Sequence, residues 1–314
     1  MQMKMASRNR YWNAFLVRFV TALTLLLQRI GGTIPRPLLH ALAVPFAALY
    51  FLNRKYRRAV TGNMRVLLGP STTQRQARRM TFKMFVNYAR TFADMFHFIG
   101  KPTHVIQRLF SLKTGEQHLF QARAAGRGAV LLTAHLGNWE MGGLLLGGMS
   151  LPVRIVYVKD RFTGVEQARA AFRNQGDVAG IPVGESPWSV LPVLRALRAN
   201  ELVAMQGDRD FDDTGIELPF CGGIARFPRG PVLTAMMADA PILPVFVIMD
   251  AQRRYQVVME PAVSLQRTRD READVIENLR RVTAVIERWV LRYPDQWFCF
   301  YPFFRLGDDA PGRS

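Results

Sequence analysis

From Ala129 to Met259, short apolar runs alternate with stretches of helical period, and this alternation constrains the fold more than any other feature of the chain. Ala129 to Ala134, Val153 to Val158, Val178 to Val183, Leu202 to Met205, Ile242 to Met249 and Tyr255 to Met259 are too short for helices and read as strands. Between them, Thr163 to Asn174 has helical period, and Ser186-Pro187 supplies an N-cap and a first-turn proline for a helix reaching about Asn200. Pro231 to Ala238 reads as a short helix, and Asp270 caps a long amphipathic helix that ends before Pro294. Strands separated by helices run parallel, because a parallel pair needs a crossover that covers a face of the sheet. The expected fold class is α/β, a mostly parallel central sheet flanked by helices. No internal repeat or low-complexity linker interrupts it.

Charge separates the first third from the rest. Residues 1–110 hold 18 Lys/Arg against the single acid Asp94, whereas residues 111–314 hold 24 against 23, so nearly all of the formal net charge of +18 lies at one end. Nucleic acid and an anionic membrane surface are the partners that such a block can serve. The cations here are interleaved with long apolar stretches, Phe15 to Leu27 and Leu38 to Leu52, for which nucleic-acid binding has no use. A membrane surface uses both, taking the apolar face into the acyl boundary and the cations at its headgroups. Residues 1–60 are therefore expected to be membrane-associating helices, followed by an α/β domain over 61–314. Trp12 to Leu27 is short for a full span and carries Asn13 and Arg18, which favours a monotopic or single-anchor segment; Arg18 and the lack of a small-residue cleavage site also argue against a signal peptide. Arg54-Lys-Tyr-Arg-Arg58 reads as a polybasic patch beside the second apolar run, and Ser71 with Gln74 as the capping box of a helix whose Phe82, Phe85, Ala89, Phe92 and Phe96 form a core stripe. Cys221 and Cys299 lie too far apart in sequence for a disulfide framework or a zinc motif, and His97, His104 and His118 lack partners at metal spacing. No metal or cofactor is expected.

Chemistry gathers at strand ends, where open α/β sheets bind ligands. His135 follows the Ala129 strand, and Glu140 lies five residues on, in the first turn of the next helix. A turn at Gly137 would fold that carboxylate back onto the imidazole, fix its tautomer and leave the other nitrogen free to take a proton from a hydroxyl. Gln206-Gly-Asp208-Arg-Asp210 forms a second polar cluster after the Leu202 strand. Further on, Phe227-Pro-Arg229-Gly230-Pro231 opens a helix from a loop rich in glycine and proline, and its backbone N–H groups with Arg229 suit a phosphate or an oxyanion.

His135-Leu-Gly-Asn-Trp-Glu140 resembles the H-x4-[D/E] motif of glycerolipid and lipid A acyltransferases, specifically the late acyltransferases of lipid A biosynthesis. Arg173 before a strand, Asp208 after one, the Pro-Arg229-Gly230-Pro turn and Pro294-Asp-Gln-Trp297 resemble later blocks of that family, and the likeness runs from the N-terminal apolar helix to Arg305. It implies His135 as base and Glu140 as its orienting acid, with Asn138, Arg173, Asp208, Arg229 and Gly230 binding substrate. It also implies acyl carrier protein, or else coenzyme A, as thioester donor, and an anionic membrane lipid or glycolipid such as a lipid A precursor as acceptor, at the cytoplasmic face of a bacterial inner membrane. Gly207-Asp-Arg-Asp210 departs from the family's Asp-Gln-Asp wording, which bears on the acceptor more than on the chemistry. The enzyme rival, a hydrolase, lacks a nucleophile elbow, since Gly184-Glu-Ser186-Pro-Trp188 misses its second glycine. A basic membrane-binding protein with a structural His135 is the non-enzyme rival. For Pro294 to Trp297, aromatic packing over the sheet is the expected role.

Overall fold

The computed structural model describes residues 21–149, 151–160, 163–176, 178–184, 187–211 and 213–305; the expectations that rest on residues 1–20, Trp12, Asn13, Phe15 and Arg18 among them, and on Ser186 lie outside them. Helical residues 21–30 (α1) lead into α2 (Arg36–Phe51), α3 (Arg54–Leu67), α4 (Gln74–Phe98), α5 (Thr103–Gln107), β1 (Phe110–Thr114), α6 (Glu116–Ala124), β2 (Ala129–Thr133) and α7 (Trp139–Gly147). There follow β3 (Val153–Val158), α8 (Thr163–Asn174), β4 (Ala179–Val183), α9 (Leu191–Arg198) and β5 (Leu202–Gln206). The hairpin β6 (Ile216–Phe220) and β7 (Gly223–Phe227), α10 (Gly230–Ala238), β8 (Ile242–Met249), β9 (Tyr255–Met259), α11 (Arg271–Arg292) and β10 (Phe304–Arg305) complete it.

Seven strands form the main sheet in the order β1-β9-β8-β2-β5-β3-β4. The five from β8 to β4 are mutually parallel, as expected. β9 instead runs antiparallel to β8, and β1 pairs parallel with β9, so these two strands oppose the rest. The reason is length: residues 250–254 suffice for a hairpin, whereas a parallel return takes a dozen residues or more. The glycine- and proline-rich segment read as a loop forms β6 and β7, which with β10 make a second sheet, β10-β7-β6. Its β6–β7 turn has Cys221 and Gly222 as the two loop residues, both at positive φ (51° and 80°), the geometry that matches the twist of a tight hairpin.

Successive residues of β2 supply two cores, because side chains alternate across a strand. Val130 and Leu132 join Leu197 of α9, Val232 of α10 and Ile286 of α11; Ala129 and Leu131 join Met141 and Leu145 of α7 on the other side. All eight residues of β8 are buried, as a strand covered on both faces requires. α4 is capped by a reciprocal Thr73–Gln76 box, two residues beyond the expected Ser71 and Gln74. α2 lies against α4, and Ala43 and Ala47 enter the same core as β2, so the described N-terminal helices are built into the α/β body. The opposite side of α2 leaves Leu38, Leu42, Phe46 and Leu49 exposed. Among the described residues no helix is long and apolar enough to cross a membrane.

Candidate active site

Register places the principal pair. β2 and β5 are neighbours, with Thr133 opposite Gln206, so His135 and Asp208, each two residues further on, emerge side by side at the carboxyl end of the sheet. Asp208 Oδ1 accepts from His135 Nδ1 at 2.8 Å, and both carboxylate oxygens lie 3.0 Å from the His135 backbone N–H. Trp297 Nε1–H donates to Oδ2 at 2.8 Å. Both residues are buried, yet His135 Nε2 makes no hydrogen bond to the described residues.

Electrostatics fix the ionisation of this pair. Burial pulls the imidazole below its usual pKa against the opposing pull of Asp208, and the charges of Arg209 and Arg169 add to the lowering. Burial alone would raise the Asp208 carboxyl, but His135, Arg209 and the Trp297 hydrogen bond outweigh it and hold it below the usual carboxylate range. The resting state is therefore an aspartate anion accepting Nδ1–H from a neutral imidazole, with the Nε2 lone pair available.

Glu140 does not make the contact expected of it. Asp208 occupies the Nδ1 side of His135, while Glu140 Oε1 lies 3.7 Å from Arg169 Nε and 4.0 Å from Arg173 Nη1. The cause is local: Asn138 caps α7 with its side-chain oxygen on Met141 N–H, and the resulting first turn sends Glu140 toward α8. Arg169 and Arg173 are one helical turn apart on α8, so both reach the same carboxylate. Arg173 is buried, 3.2 Å from Glu166 and stacked 4.3 Å above the Tyr157 ring. Among the described residues Glu140 Oε2 is buried without a hydrogen-bond partner, and Glu140 lines a small cleft with Tyr88, Phe92, Met95, Trp139 and Arg169. The Trp139 ring meets His135 edge-on at 5.3 Å, which joins the cleft to the imidazole.

The turn that carries these groups is stitched on both sides. Gly137 N–H donates to Gln296 O and Asn138 N–H to Val247 O, both at 2.8 Å, while His135 O accepts from Phe298 N–H at 2.7 Å. Gly137 has φ of 64°, and a β-carbon there would come within 1.9 Å of Val247 O, so glycine alone fits. Gln296 in turn spans Met249, accepting its N–H and donating to its carbonyl. The Gln296-Trp297 pair thus acts on the site directly, beyond the aromatic packing expected of it. Arg229 and Gly230 stand at the start of α10, where Arg229 ion-pairs with Glu272 and makes no hydrogen bond to His135. Of the two cations whose charge is felt at His135, Arg209 acts more strongly than Arg169; it donates to Phe298 O and packs over Phe211 and Tyr301. Among the described residues no group of three His, Cys, Asp or Glu is placed to hold a metal ion.

A carboxylate-oriented histidine at the carboxyl edge of a mostly parallel sheet, with Nε2 unbonded among the described residues, is equipped for proton transfer without a nucleophilic side chain. The sequence model of the bacterial lipid A biosynthesis acyltransferases matches residues 3–306, and the chain belongs to that family. It is 35% identical over 133 residues to the phosphatidylinositol mannoside acyltransferase of Mycobacterium tuberculosis, covering 41% of this chain and 42% of that one. The protein of the same name from Mycolicibacterium smegmatis is 31% identical over 131 residues. The match thus spans less than half the length of these mycobacterial relatives. A lipid A biosynthesis acyltransferase of Haemophilus influenzae is 22% identical over 244 residues, covering 77% of this chain and 73% of that one.

Proposed function

We propose that the protein is an O-acyltransferase that moves a fatty acyl chain from an acyl thioester to a hydroxyl of a membrane glycolipid. The observation that carries this is the His135–Asp208 pair, with a neutral imidazole whose Nε2 is uncommitted, in a chain of an acyltransferase family. His135 Nε2 takes the acceptor's hydroxyl proton as the oxygen attacks the thioester carbonyl. The tetrahedral intermediate collapses, the carbon–sulfur bond breaks, and the imidazolium returns its proton to the departing thiolate. Asp208 holds the tautomer and stabilises the imidazolium, and Arg209 faces the developing negative charge. Glu140 and Arg169 form the polar wall of the cleft beside Trp139, where they orient the acceptor, and the buried Arg173 stands behind Glu140 as its support; Arg229 and Gly230 are left outside this assignment.

The donor fits the thioester of acyl carrier protein, an acidic partner for a chain so basic at one end. The acceptor is a lipid A precursor or a mannosylated phosphatidylinositol, the two substrate types named by its relatives. Docking at an anionic bilayer, as at the cytoplasmic face of an inner membrane, uses the exposed Leu38, Leu42, Phe46 and Leu49 of α2, with Arg54, Lys55 and Arg58 of α3 at the headgroups. Mass spectrometry of total lipids from deletion cells, and from cells complemented with wild-type or His135→Ala protein, tests the reading. One acylated glycolipid should vanish on deletion and return only with the wild type. Its return with His135→Ala would overturn the assignment.

A further inference from the structure

A second buried polar assembly lies behind the site and ends on it. Asp94 of α4, fully buried and the lone acid of residues 1–110, receives four hydrogen bonds. Arg36 Nε and Nη2 reach its two oxygens at 2.7 and 2.9 Å, His40 Nε2 reaches Oδ1 at 2.7 Å, and the Tyr255 hydroxyl donates to Oδ2. Arg36 and His40 stand one turn apart on α2, which puts them on the face turned toward α4. The Tyr255 hydroxyl then accepts from Asn138 Nδ2 at 2.8 Å. Asn138 is the residue whose oxygen caps α7 and whose N–H is bound by Val247, midway between His135 and Glu140. Burial, together with the neighbouring anion, keeps the Tyr255 phenol protonated, so the donor direction from Tyr255 to Asp94 is fixed.

We propose that this chain, Arg36–Asp94–Tyr255–Asn138, is a tether by which the N-terminal helices hold the His135 turn in its reactive geometry, with Asp94 and Tyr255 as positioning residues. The proposal rests on the acyl-transfer reading for its kinetic consequence, although the mechanical consequence stands apart from it. A core packed by apolar groups would hold α2 and α4 together without Asp94. What the buried carboxylate adds is direction, because four donors fix its orientation and therefore that of the one phenol that meets the turn. Asn138 has two jobs that substitution can separate. Its oxygen caps α7, which serine also does; its amide N–H is what reaches Tyr255.

Two variants and two readouts test the tether. In Tyr255→Phe and in Asn138→Ser, transfer of radiolabelled palmitate from its acyl-carrier-protein thioester to a total membrane lipid extract should show kcat lowered about tenfold at unchanged KM, the scale of one lost hydrogen bond at a positioned group. The double variant should be no slower than either single one, since both break the same link. Amide hydrogen exchange of the 135–142 segment should accelerate in both, a readout that needs no turnover and survives failure of the acyl-transfer reading. Should Tyr255→Phe yield no folded protein, Asn138→Ser carries both measurements alone. Losses of turnover that multiply in the double variant, or unchanged exchange in that segment, would overturn the tether. Unchanged exchange with lost turnover would place Asn138 on the substrate instead.

Discussion

Two aspartates in this molecule have nearly the same surroundings and opposite uses. Asp208 and Asp94 are both buried, both bound to one imidazole nitrogen, and both accept from an aromatic donor, Trp297 in one case and Tyr255 in the other. They differ in where the histidine's second nitrogen goes. Among the described residues neither second nitrogen has a hydrogen-bond partner, but that of His40 is fully buried whereas His135 Nε2 is not. They differ also in compensation: Asp94 carries a bidentate Arg36, and Asp208 has only the more distant charge of Arg209. A carboxylate–histidine contact is therefore not a signature of catalysis. A full set of strong donors suits a clamp; one open nitrogen at a strand end suits the base proposed for His135.

The comparison breaks first at the histidines. His135→Ala should lower turnover by ~10²- to 10⁴-fold, the range for loss of a general base, with little change in thermal stability. Near wild-type turnover would return His135 to a structural role. At the clamp the loss falls on stability: Asp94→Ala leaves the half-buried Arg36 and the buried His40 without their partner and should cost about 3 kcal/mol in denaturant unfolding, the lower end for a broken buried pair. Burial raises the Asp94 carboxyl, but His40 and Arg36 outweigh it and lower it below its unfolded value of ~3.9. Its stabilisation is therefore complete above that pH and is lost as pH falls through the folded value. Asp94→Asn should accordingly flatten the stability curve below about pH 4, and an unchanged acid limb would disprove the clamp.

Asp208→Asn should lower turnover by ~10²-fold and move the acid limb of the pH–rate profile further down, since loss of the anion lowers a histidine pKa that burial has already depressed. Glu140→Gln, the smallest effect, should cost no more than ~10-fold, the scale of a loosened ion pair with Arg169 and Arg173 at the cleft. It should leave that limb in place, because Glu140 sits among arginines away from the imidazole. A limb that moves with Glu140 and stays with Asp208 would reverse the two roles.

Much of this was legible in the sequence, and the rest failed for identifiable reasons. The runs from Ala129 to Met259 announced most of the strands of the sheet, and His135 and Asp208 could each be put at a strand end by period alone. Their contact could not, because it depends on β2 lying beside β5 with Thr133 opposite Gln206, a tertiary register. Proximity in sequence favoured Glu140, and the Asn138 cap turned it away. The β6–β7 hairpin was hidden in a segment whose glycines and prolines also suit a loop, and the reversal of β9 was implied by the brevity of residues 250–254 but not drawn from it. Asp94 left a clear signal: a single acid among 18 cations has to be somewhere special. Arg169, a turn before Arg173, and Trp297 left only the faint one of residue type.

The strap formed by Gln296, Trp297 and Phe298 also bears on biogenesis. His135 and Asp208 are synthesised long before the residues that fix the His135 carbonyl, hold the Gly137 turn and donate to Asp208. Contacts so distant along the chain close late, since loop entropy must be overcome before they form. A nascent chain on the ribosome, or one cut before Gln296, would keep the β2–β5 register but lack the groups that hold His135 O, Gly137 N–H and Asp208 Oδ2. The geometry of the His135 turn would therefore be completed only after residues 296–298 have been made, when nearly the whole chain is already in place.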